Sequence, residues 1–425
     1  MIELRKGILL FWLVIIIMEA PLRYYSSALG FPWIVYLKDF VLLLIFLYFL
    51  VLILNRGQID ALILIILAGV AYGCLVALLN GLPISQVAFG AKMFLPFVVA
   101  FIAVYYLQVE RDFLRTMFRW LVPVVSLGIL LELFGELPWK GEQYLAFGVD
   151  IDASREWTTL GLPRLSGFGR ASYETAAIIL SLVALNLTAA LMSSGEPKRA
   201  TVRYYDYLLS TLSIAGIVVT TSKTAMLATV GLLISAVLIK FALERRTKGD
   251  RASLGLKLFI LFFALFGMIP PAIAAINPSY FSQVLDSDNL FWKAVTFSFV
   301  ERMESTWPDA LHLLDGGWRF LSGRGIGGIG ASQFYFEPEN YNPADNFYIY
   351  ILISFGIVFT AVVIAYLIKN LVLCKPSEQA GVPFFIFCLI SFVFGATMNI
   401  VESSILMFTL GILAGLWKHG KANLH

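Results

Sequence analysis

The sequence is dominated by apolar runs, most of them about 20 residues long, which is the length that an α-helix needs to cross a bilayer. Hydrophobic residues make up 59% of the 425 residues and charged residues only 14%, whereas a soluble domain carries roughly 25% charged residues. The runs lack the alternation of apolar and polar residues that a membrane β-barrel requires. These features exclude a soluble α/β fold and predict an all-α integral membrane protein with about 12 transmembrane helices.

Hydropathy and length locate the predicted spans along the whole chain. They cover residues 7–21, 37–54, 59–79, 86–107, 113–134, 173–193, 205–221, 224–243, 255–276, 345–371, 381–397 and 400–417. The break between the seventh and eighth spans, at Ser222–Lys223, could instead be a kink within one helix. Residues 135–172 and 277–344 are too long for turns, and we call them the first and second long segments.

Sixteen basic residues in or beside the short connections fall on one side of the predicted bundle. They are Arg5, Lys6, Arg111, Arg115, Arg119, Lys198, Arg199, Arg203, Arg245, Arg246, Lys248, Arg251, Lys257, Lys375, Lys418 and Lys421. Short loops rich in Lys and Arg stay in the cytoplasm, so we expect this side and both termini to lie there. The chain then divides into an N-terminal bundle (1–134), a central region with the first long segment (135–276), the second long segment (277–344) and the C-terminal helices (345–425).

Cationic residues gather on the opposite, outer side of this topology, at the ends of helices or in the long segments. They are Arg164, Arg170, Lys223, Arg302 and Arg324. A cation near membrane depth is costly unless it is paired or hydrated, so it is a functional candidate by default. Arginine side chains match phosphate oxygens in pairs. The pattern predicts an anion site at the outer bilayer surface, where the natural anion is the diphosphate of a lipid-linked substrate.

Each of these cations also has an ordinary structural explanation. A single arginine beside the membrane usually reaches lipid headgroups, and a lysine in a short turn can cap helix carbonyls. Arg302 has three acidic neighbours, Glu301, Glu304 and Asp309, with which it could form an ion pair. Arg324 stands within a glycine-rich run that could be a flexible loop. The functional and structural explanations both stay open for each residue.

Other functional classes have little support in the sequence. The net charge of +3 is too small to indicate a nucleic acid partner. Cys74, Cys374 and Cys388 are spaced neither as a metal site nor as a disulfide framework. The glycine-rich run at 323–330 has no Gly-Lys-Ser/Thr ending and no preceding strand, so it is not typical of a nucleotide site. We expect neither a metal nor another cofactor.

Aromatic residues crowd both long segments, among them Trp157, Tyr173, Trp307 and Tyr341. An interfacial belt of Trp and Tyr explains most of them, although some could stack on the apolar faces of sugar rings. Residues 300–315 have the pattern of an amphipathic helix that lies along the membrane surface. The aromatic residues therefore support the placement of both long segments at the outer face of the membrane.

A set of short motifs resembles the superfamily of O-antigen ligases and Wzy-type polymerases. In this chain the set comprises Arg302, Trp307, Ala310-Leu311, the SGRGIGG turn and Asp345-Asn346, together with PRLSGFGRASYETAA and TTSKTAML upstream. The resemblance covers roughly residues 160–360. It implies a GT-C-like membrane fold in the bacterial inner (cytoplasmic) membrane, with the active site facing the periplasm.

The resemblance also implies an activity, that of an inverting glycosyltransferase that uses neither nucleotide sugars nor metals. The donor would be a glycan on undecaprenyl diphosphate. The acceptor would be a hydroxyl group of another lipid-linked glycan, in a polymerase, or of lipid A core, in a ligase. A polymerase of this type is expected to work with membrane lipid around it and with a chain-length regulator as a possible partner.

The resemblance suggests roles for individual residues. Arg164, Lys223 and Arg302 would neutralise the leaving diphosphate, and Asp345 would act as general base, with Glu174 as the second candidate. Substrate binding would fall to Arg170, Arg324, Trp307, Asn346 and Tyr173. Ligases of the family commonly have His at the position of Asp345 and Arg at that of Lys223, so both departures favour a polymerase over a ligase.

Two other classes remain as alternatives. A transporter for the same lipid would also need cations near the diphosphate, but it should contain internally repeated helix halves, which the sequence lacks. A non-catalytic scaffold of the cell envelope would leave the cluster of outer arginines without an explanation.

Overall fold

The computed structural model describes residues 2–56, 60–106, 111–146, 149–159, 162–193, 200–244, 249–280, 290–315, 317–376 and 378–422. Its first eleven helices are α1 (Ile2–Ile17), α2 (Glu19–Ala28), α3 (Leu37–Arg56), α4 (Ala61–Leu79), α5 (Ile84–Lys92), α6 (Leu95–Tyr105), α7 (Arg111–Phe134), α8 (Ser172–Met192), α9 (Ala200–Val219), α10 (Lys223–Glu244) and α11 (Gly249–Ile276). The later ones are α12 (Leu290–Glu301), α13 (Trp307–His312), α14 (Arg319–Ser322), α15 (Ala331–Phe336), α16 (Phe347–Leu373), α17 (Val382–Gly395) and α18 (Ser404–Ala422).

The apolar runs form helices of membrane-spanning length, as predicted. Among the described residues, eight helices are long and apolar enough to cross a bilayer, where α5 and α6 together count as one (Ile84–Tyr105). The number is nine if α1 and α2, which meet at a bend of 76°, count as one broken span. They include every predicted span from the second to the sixth, and the eighth, ninth and tenth. The protein is therefore a helical, multi-pass membrane protein.

The remaining predicted spans correspond to helices that are shorter than a full crossing or that begin later than predicted. The spans at 205–221 and 381–397 coincide with shorter apolar helices, Tyr204–Val219 and Gln379–Gly395. The span predicted at 400–417 begins later, at Ser404, because residues Ile400–Glu402 form a 3-10 turn. The break predicted at Ser222–Lys223 separates two helices, since α9 ends at Val219 and α10 begins at Lys223. The number of twelve crossings stays a prediction.

The centre of the bundle is the contact between α6 and α18. Residues Pro96–Val104 of α6 are buried without interruption. On α18, Gly411 and Gly415 let the two backbones approach closely, because a Cβ at Gly411 would lie only 2.3 Å from the carbonyl oxygen of Phe97. Small residues spaced four apart are typical of tightly packed membrane helices. This contact fixes α18, whose first residues border the candidate site.

The first long segment adds two small antiparallel sheets to the otherwise helical chain. Strand β1 (Gln143–Ala146) pairs with β2 (Val149–Asp152), and β3 (Thr158–Thr159) pairs with β4 (Leu162–Pro163). Glu132 at the end of α7 anchors the turn that follows, since its Oε2 accepts hydrogen bonds from the backbone N–H groups of Ser166 at 2.7 Å and Gly167 at 2.6 Å. The segment is thus tied to the bundle.

The second long segment contains the helical stretch that was predicted to be amphipathic over 300–315. Helix α12 continues through a π-helical turn, Arg302–Thr306, into α13. Met303, Trp307 and Ala310 are fully buried on one side of it. Glu304 and Asp309 are exposed on the other side, so the predicted amphipathic pattern is present and its apolar face packs into the protein interior. The predicted position along the membrane surface stays a prediction. Residues 281–289 of the segment lie outside the described ranges.

Glycine allows the rest of the second long segment to lie directly on transmembrane backbone. Gly325 has φ +97°, and a Cβ there would lie 2.2 Å from the backbone nitrogen of Ala77 in α4. The N–H of Arg324 donates to the carbonyl of Ile353 at 2.7 Å, and that of Ile326 to Gly73 at 3.0 Å. The glycine-rich run is consequently a packed turn.

Candidate functional site

A cavity of about 570 Å³ opens where several helices begin. Its walls include the first turns of α8 and α10, the residues that precede α16 and α18, and parts of both long segments. The N-terminal ends of α8, α10, α16 and α18 therefore converge on it. Helix N-termini carry partial positive charge and favour anions. In the sequence, the opposite ends of these helices lead into the basic connections that set the predicted sidedness.

The charged lining of the cavity is mostly cationic. The cations are Arg155, Arg164, Arg170, Lys223 and Arg302, and the carboxylates are Glu174, Asp345 and Glu402. With all of these groups ionised, the lining has a formal excess of two positive charges. An excess of this size, beside four helix N-termini, is suited to a ligand with about two negative charges.

Arg302 and Asp345 form the central ion pair of the cavity wall. Arg302 Nε donates to Asp345 Oδ2 at 3.0 Å, and Arg302 Nη1 donates to the carbonyl of Ser298 at 3.3 Å. The acidic partner of Arg302 is thus a residue distant in the sequence. Both side chains stay partly exposed, at 22% for Arg302 and 35% for Asp345. The guanidinium group is held in place and is still accessible to a ligand.

Unusual backbone holds Asp345 at the cavity. Ala344 and Asp345 have φ values of +62° and +43°, in the left-handed region that is strained for residues other than glycine. Asn342 supports this turn, because its Oδ1 accepts from the N–H of Ala344 at 2.8 Å and its Nδ2 donates to the carbonyl of Thr306 at 2.8 Å. Asn342 therefore connects the turn of Asp345 to the π-helical turn of Arg302.

Arg164 and Arg170 stand on the turn that Glu132 anchors. The Nε atoms of both arginines are buried and have no hydrogen-bond partner among the described residues. A buried donor without a partner is costly. Burial, together with the positive charge of Arg302, lowers the pKa of Arg164, although a guanidinium group stays protonated in proteins. Both arginines thus line the cavity with hydrogen-bonding capacity that the described part of the protein leaves unused.

Aromatic side chains form two walls of the cavity. Trp157 stacks on Tyr173 at a ring distance of 5.7 Å, and the guanidinium of Arg164 lies 5.5 Å from the Trp157 ring. Elsewhere in the lining, Phe334 contacts Tyr335 at 5.3 Å and Tyr341 at 5.4 Å. Flat aromatic faces beside hydrogen-bonding groups are suited to bind sugar rings.

The structure brings seven of the ten predicted site residues together at the cavity. They are Arg164, Arg170, Tyr173, Glu174, Lys223, Arg302 and Asp345. Lys223 is the first residue of α10, and its neighbour Thr224 contacts Thr397 between the hydroxyl oxygens at 2.6 Å, which joins the start of α10 to the end of α17. The fold therefore gathers residues that are far apart in the sequence.

The other three predicted residues lie outside the lining, and two of them are Arg324 and Trp307. Arg324 Nη2 donates to both carboxylate oxygens of Glu337, at 2.9 and 3.0 Å, and its Nη1 donates to the carbonyl of Gly328. Trp307 is only 1% exposed and packs in the core. Both side chains have structural roles here, so we do not assign them to substrate binding.

Asn346 is the third of these residues, and it is a buried helix cap. Its Oδ1 accepts from the N–H groups of Tyr348 at 2.8 Å and Ile349 at 3.1 Å. Its Nδ2 donates to the carbonyls of Gly267 at 2.9 Å and Ala396 at 3.0 Å. Its hydrogen bonds are used in joining α16 to α11 and α17, so we do not assign it to sugar binding either.

The sequence analysis missed two charged residues of the lining, Arg155 and Glu402. Arg155 follows the β1–β2 hairpin, and its Nε lies 3.6 Å from Asp152 Oδ2. Glu402 ends the 3-10 turn between α17 and α18. One signal was available for Glu402, because an acidic residue at the edge of an apolar run is a functional candidate by the same rule that selected the cations.

No protein-family model matches the chain, and no curated protein or solved structure is significantly similar to it. The site is therefore interpreted from its own residues.

Proposed function

We propose that the protein is a membrane glycosyltransferase that polymerises undecaprenyl-diphosphate-linked oligosaccharide repeat units at the periplasmic face of the bacterial inner membrane. The observation that carries the proposal is the cavity, whose lining has an excess of two positive charges. The charged side chains of this lining come from separate parts of the chain. A diphosphate diester carries about two negative charges, which this lining can neutralise.

The proposed reaction is a direct displacement at the anomeric carbon of the donor. The acceptor hydroxyl oxygen forms a bond to this carbon while the bond to the diphosphate oxygen breaks, and the electron pair leaves with the diphosphate. Arg164, Lys223 and Arg302 stabilise the negative charge that builds up on the leaving group. Attack opposite the leaving group inverts the anomeric configuration.

Arg302 supports the proposal by its accessibility and its fixed position. An arginine that is already oriented loses little conformational freedom when it binds a phosphate group. Asp345 provides this orientation through the 3.0 Å hydrogen bond. If Asp345 also took the acceptor proton, as the resemblance implies, the ion pair would be lost at the moment when the leaving group needs Arg302. Orientation of Arg302 is therefore the role that we propose for Asp345.

The aromatic walls support a glycan as the group that is transferred. Trp157 and Tyr173 lie beside Arg164, so a sugar attached to the diphosphate could stack on them while the phosphates contact the arginine. The cavity of about 570 Å³ is of the size that binds a small ligand. It would hold the diphosphate and the adjoining sugar, with the rest of the glycan extending outside.

The experiment that tests this function uses purified protein with one lipid-linked repeat unit as the only substrate. We expect a ladder of longer lipid-linked glycans, and we expect Arg302→Ala to slow its formation by at least about 100-fold. Arg319→Ala is the matched control, because Arg319 lies in the same long segment and donates to Asn80 outside the cavity. Its ladder should be unchanged.

Other products would point to the alternatives. A protein that forms no ladder, but transfers the glycan once lipid A core is added, would be a ligase. A protein that makes neither product, but moves labelled lipid between the leaflets of a liposome, would be a transporter. Either result would overturn the polymerase proposal.

A further inference from the structure

Glu402 lies on a short turn whose backbone places its side chain at the cavity. The 3-10 turn Ile400–Glu402 begins at Asn399, whose Oδ1 accepts from the N–H of Val401 at 3.2 Å. Ile400 and Val401 are each only 1% exposed and anchor the turn in the apolar core. Asn399 and Glu402 instead line the cavity. Because the apolar residues of this turn lie in the core and its polar residues line the cavity, the turn fixes Glu402 at the cavity.

The second long segment holds the Glu402 carboxylate in place. Glu402 Oε1 accepts a hydrogen bond from the N–H of Ala331 at 2.6 Å, at the start of α15. Gly330 makes this approach possible, because a Cβ at that position would lie only 1.9 Å from Oε1. A carboxylate has about four acceptor sites, so one backbone hydrogen bond orients the group without using its capacity to accept a proton.

The three carboxylates of the cavity differ in their partners. Asp345 is in an ion pair with Arg302, at 3.0 Å, and Glu174 accepts a hydrogen bond from the hydroxyl of Tyr173 at 3.3 Å. Glu402 has no ion-pair partner within the part of the chain that the structure describes. Proton transfer to Glu402 therefore breaks no ion pair, in contrast to transfer to Asp345.

The surroundings of Glu402 bring the pKa of its carboxyl group close to neutral pH. Burial, and secondarily the negative charge of Asp345, raise the pKa of Glu402 to about 7, against the opposing effects of the Ala331 N–H, of Arg170 and of the Asn399 amide. A general base is most effective when its pKa lies near the working pH. The other groups that interact electrostatically with Glu402 are Tyr173, Tyr341 and Tyr350.

We propose that Glu402 is the general base of the reaction, an inference that rests on the glycosyltransferase function proposed above. As the acceptor oxygen bonds to the anomeric carbon, its proton passes to the Glu402 carboxylate, and the electron pair of the breaking bond leaves with the lipid diphosphate. The proton is released to water once the products have left. One negative charge thus passes from the Glu402 carboxylate to the leaving diphosphate, where the arginines stabilise it.

The deciding experiment compares Glu402→Gln with the wild-type enzyme. Glutamine keeps the size of the side chain and the oxygen that accepts from Ala331, but it cannot take the proton. We expect kcat to fall by at least about 100-fold, while the Kd for lipid diphosphate changes less than about twofold. A Glu402→Gln enzyme with kcat within about fivefold of wild type would overturn the inference.

The pH profile of the unmodified protein provides a second test that needs no variant. For the wild type, we expect log kcat to rise with unit slope up to an apparent pKa near 7 and then to level off. The tyrosines near Glu402 stay neutral across this range and Arg170 stays charged. A profile without this acidic limb would overturn the role of Glu402.

These outcomes separate the two proposals. If the wild type forms a ladder and Glu402→Gln forms the same ladder at the same rate, the polymerase function stands and Glu402 is not the base. If the wild type forms no ladder at any pH, the polymerase function fails, and the role of Glu402 in it fails as well.

Discussion

Arg302 and Asp345 are 43 positions apart in the sequence, yet Arg302 Nε donates to Asp345 Oδ2 at 3.0 Å on the wall of the cavity. Each stands on irregular backbone, Arg302 at the start of a π-helical turn and Asp345 at a φ of +43°. Irregular backbone of this kind is retained where the surrounding structure holds it, often at functional sites. We therefore interpret the pair as a feature of the site and not as a chance surface contact.

The first prediction concerns the role of Asp345 in this pair. Asn346 caps the next helix, so Asp345→Asn changes the charge at the turn while the neighbouring cap is retained. Asparagine also tolerates the left-handed region well. We expect kcat to fall by about tenfold, because Arg302 loses an orienting partner, which is far less than the fall of at least about 100-fold for removing a general base. Steady-state kinetics at saturating donor will measure it.

A comparison of Asp345→Asn with Glu402→Gln also tests which carboxylate is the general base. A loss of more than about 100-fold for Asp345→Asn, with Glu402→Gln nearly unchanged, would return the general-base role to Asp345.

The second prediction concerns Gly330, which makes room for Glu402. A Cβ at Gly330 would lie 1.9 Å from Glu402 Oε1, and φ at this glycine is +83°. We expect Gly330→Ala to displace the carboxylate and lower kcat by at least about tenfold. Gly317→Ala is the matched control, because Gly317 has a similar φ of +74° but nothing within 4 Å of the added methyl group.

The control separates backbone strain from displacement of Glu402. Both substitutions place alanine at a positive φ and so carry backbone strain, which is greater at Gly330 because its ψ of −150° lies in a region essentially restricted to glycine. Both should therefore lower the unfolding temperature. Only Gly330→Ala should lower kcat. Equal activity in the two variants would show that the position of Glu402 does not matter for turnover.

The third prediction concerns Glu132, which anchors the turn of Arg164 and Arg170. Glu132→Gln removes the negative charge that accepts from the N–H groups of Ser166 and Gly167 and that pairs with Lys140. We expect a loss of about 2–3 kcal/mol in stability, because hydrogen bonds to buried charged groups are strong. Hydrogen exchange of residues 164–170 should increase. Glu136→Gln, at an exposed position, should leave both measurements unchanged.

The sequence was sufficient to predict the apolar helices and most of the cations that line the cavity, and the reason is physical. Hydropathy is a local property, so the apolar runs predict their own helices whatever they later contact. The rule that basic residues stay in the cytoplasm assigned sides to the loops, and it singled out Arg164, Arg170 and Lys223 as exceptions. The fold then brought them to one cavity.

The sequence was insufficient where a residue's role depends on distant partners. The local sequence of Asn346 cannot reveal that its amide reaches Gly267 and Ala396. The same holds for Arg324, whose glycine neighbours suggested mobility while its backbone bonds to Ile353 in α16. Glu402 was included at the start of the span predicted over 400–417, since the 3-10 turn that carries it contains apolar residues.

The fourth prediction is a dependence of stability on pH that originates in Glu402. Because burial raises the pKa of this carboxyl group to about 7, the folded protein keeps a proton that the unfolded chain, with an ordinary Glu pKa of about 4.3, releases. Stability should therefore fall as the pH rises from about 4 to about 7, and then stay level. The unfolding temperature of the purified protein in one detergent will test this.

Glutamine at position 402 should remove this dependence of stability on pH. Glu402→Gln has no proton to lose, so we expect a flatter profile between about pH 5 and about pH 7 than in the wild type. Glu301→Gln, at an exposed position of the second long segment, should keep the wild-type slope. Equal slopes in all three proteins would mean that Glu402 titrates as an ordinary carboxylate.

The last prediction contrasts Arg164 and Arg324, two members of the cationic set predicted on the outer side. Arg164 lines the cavity, and its buried Nε has no hydrogen-bond partner among the described residues. Arg164→Ala should therefore leave the unfolding temperature nearly unchanged, while it weakens the binding of lipid diphosphate by about tenfold or more. Titration of the purified variant with lipid diphosphate will measure this loss.

Arg324→Ala should have the opposite effect. Arg324 pairs with Glu337 at 2.9 Å, and its side chain is only 12% exposed. Its removal leaves the partly buried Glu337 carboxylate without its cationic partner, with only the hydrogen bond from Gln86 Nε2 at 3.0 Å. Breaking such a pair costs about 3 kcal/mol. We expect a lower unfolding temperature and an unchanged Kd for lipid diphosphate at a temperature where the variant is folded. A variant that is stable but binds the lipid poorly would return Arg324 to the binding site, because the loss would then come from a missing contact with the ligand.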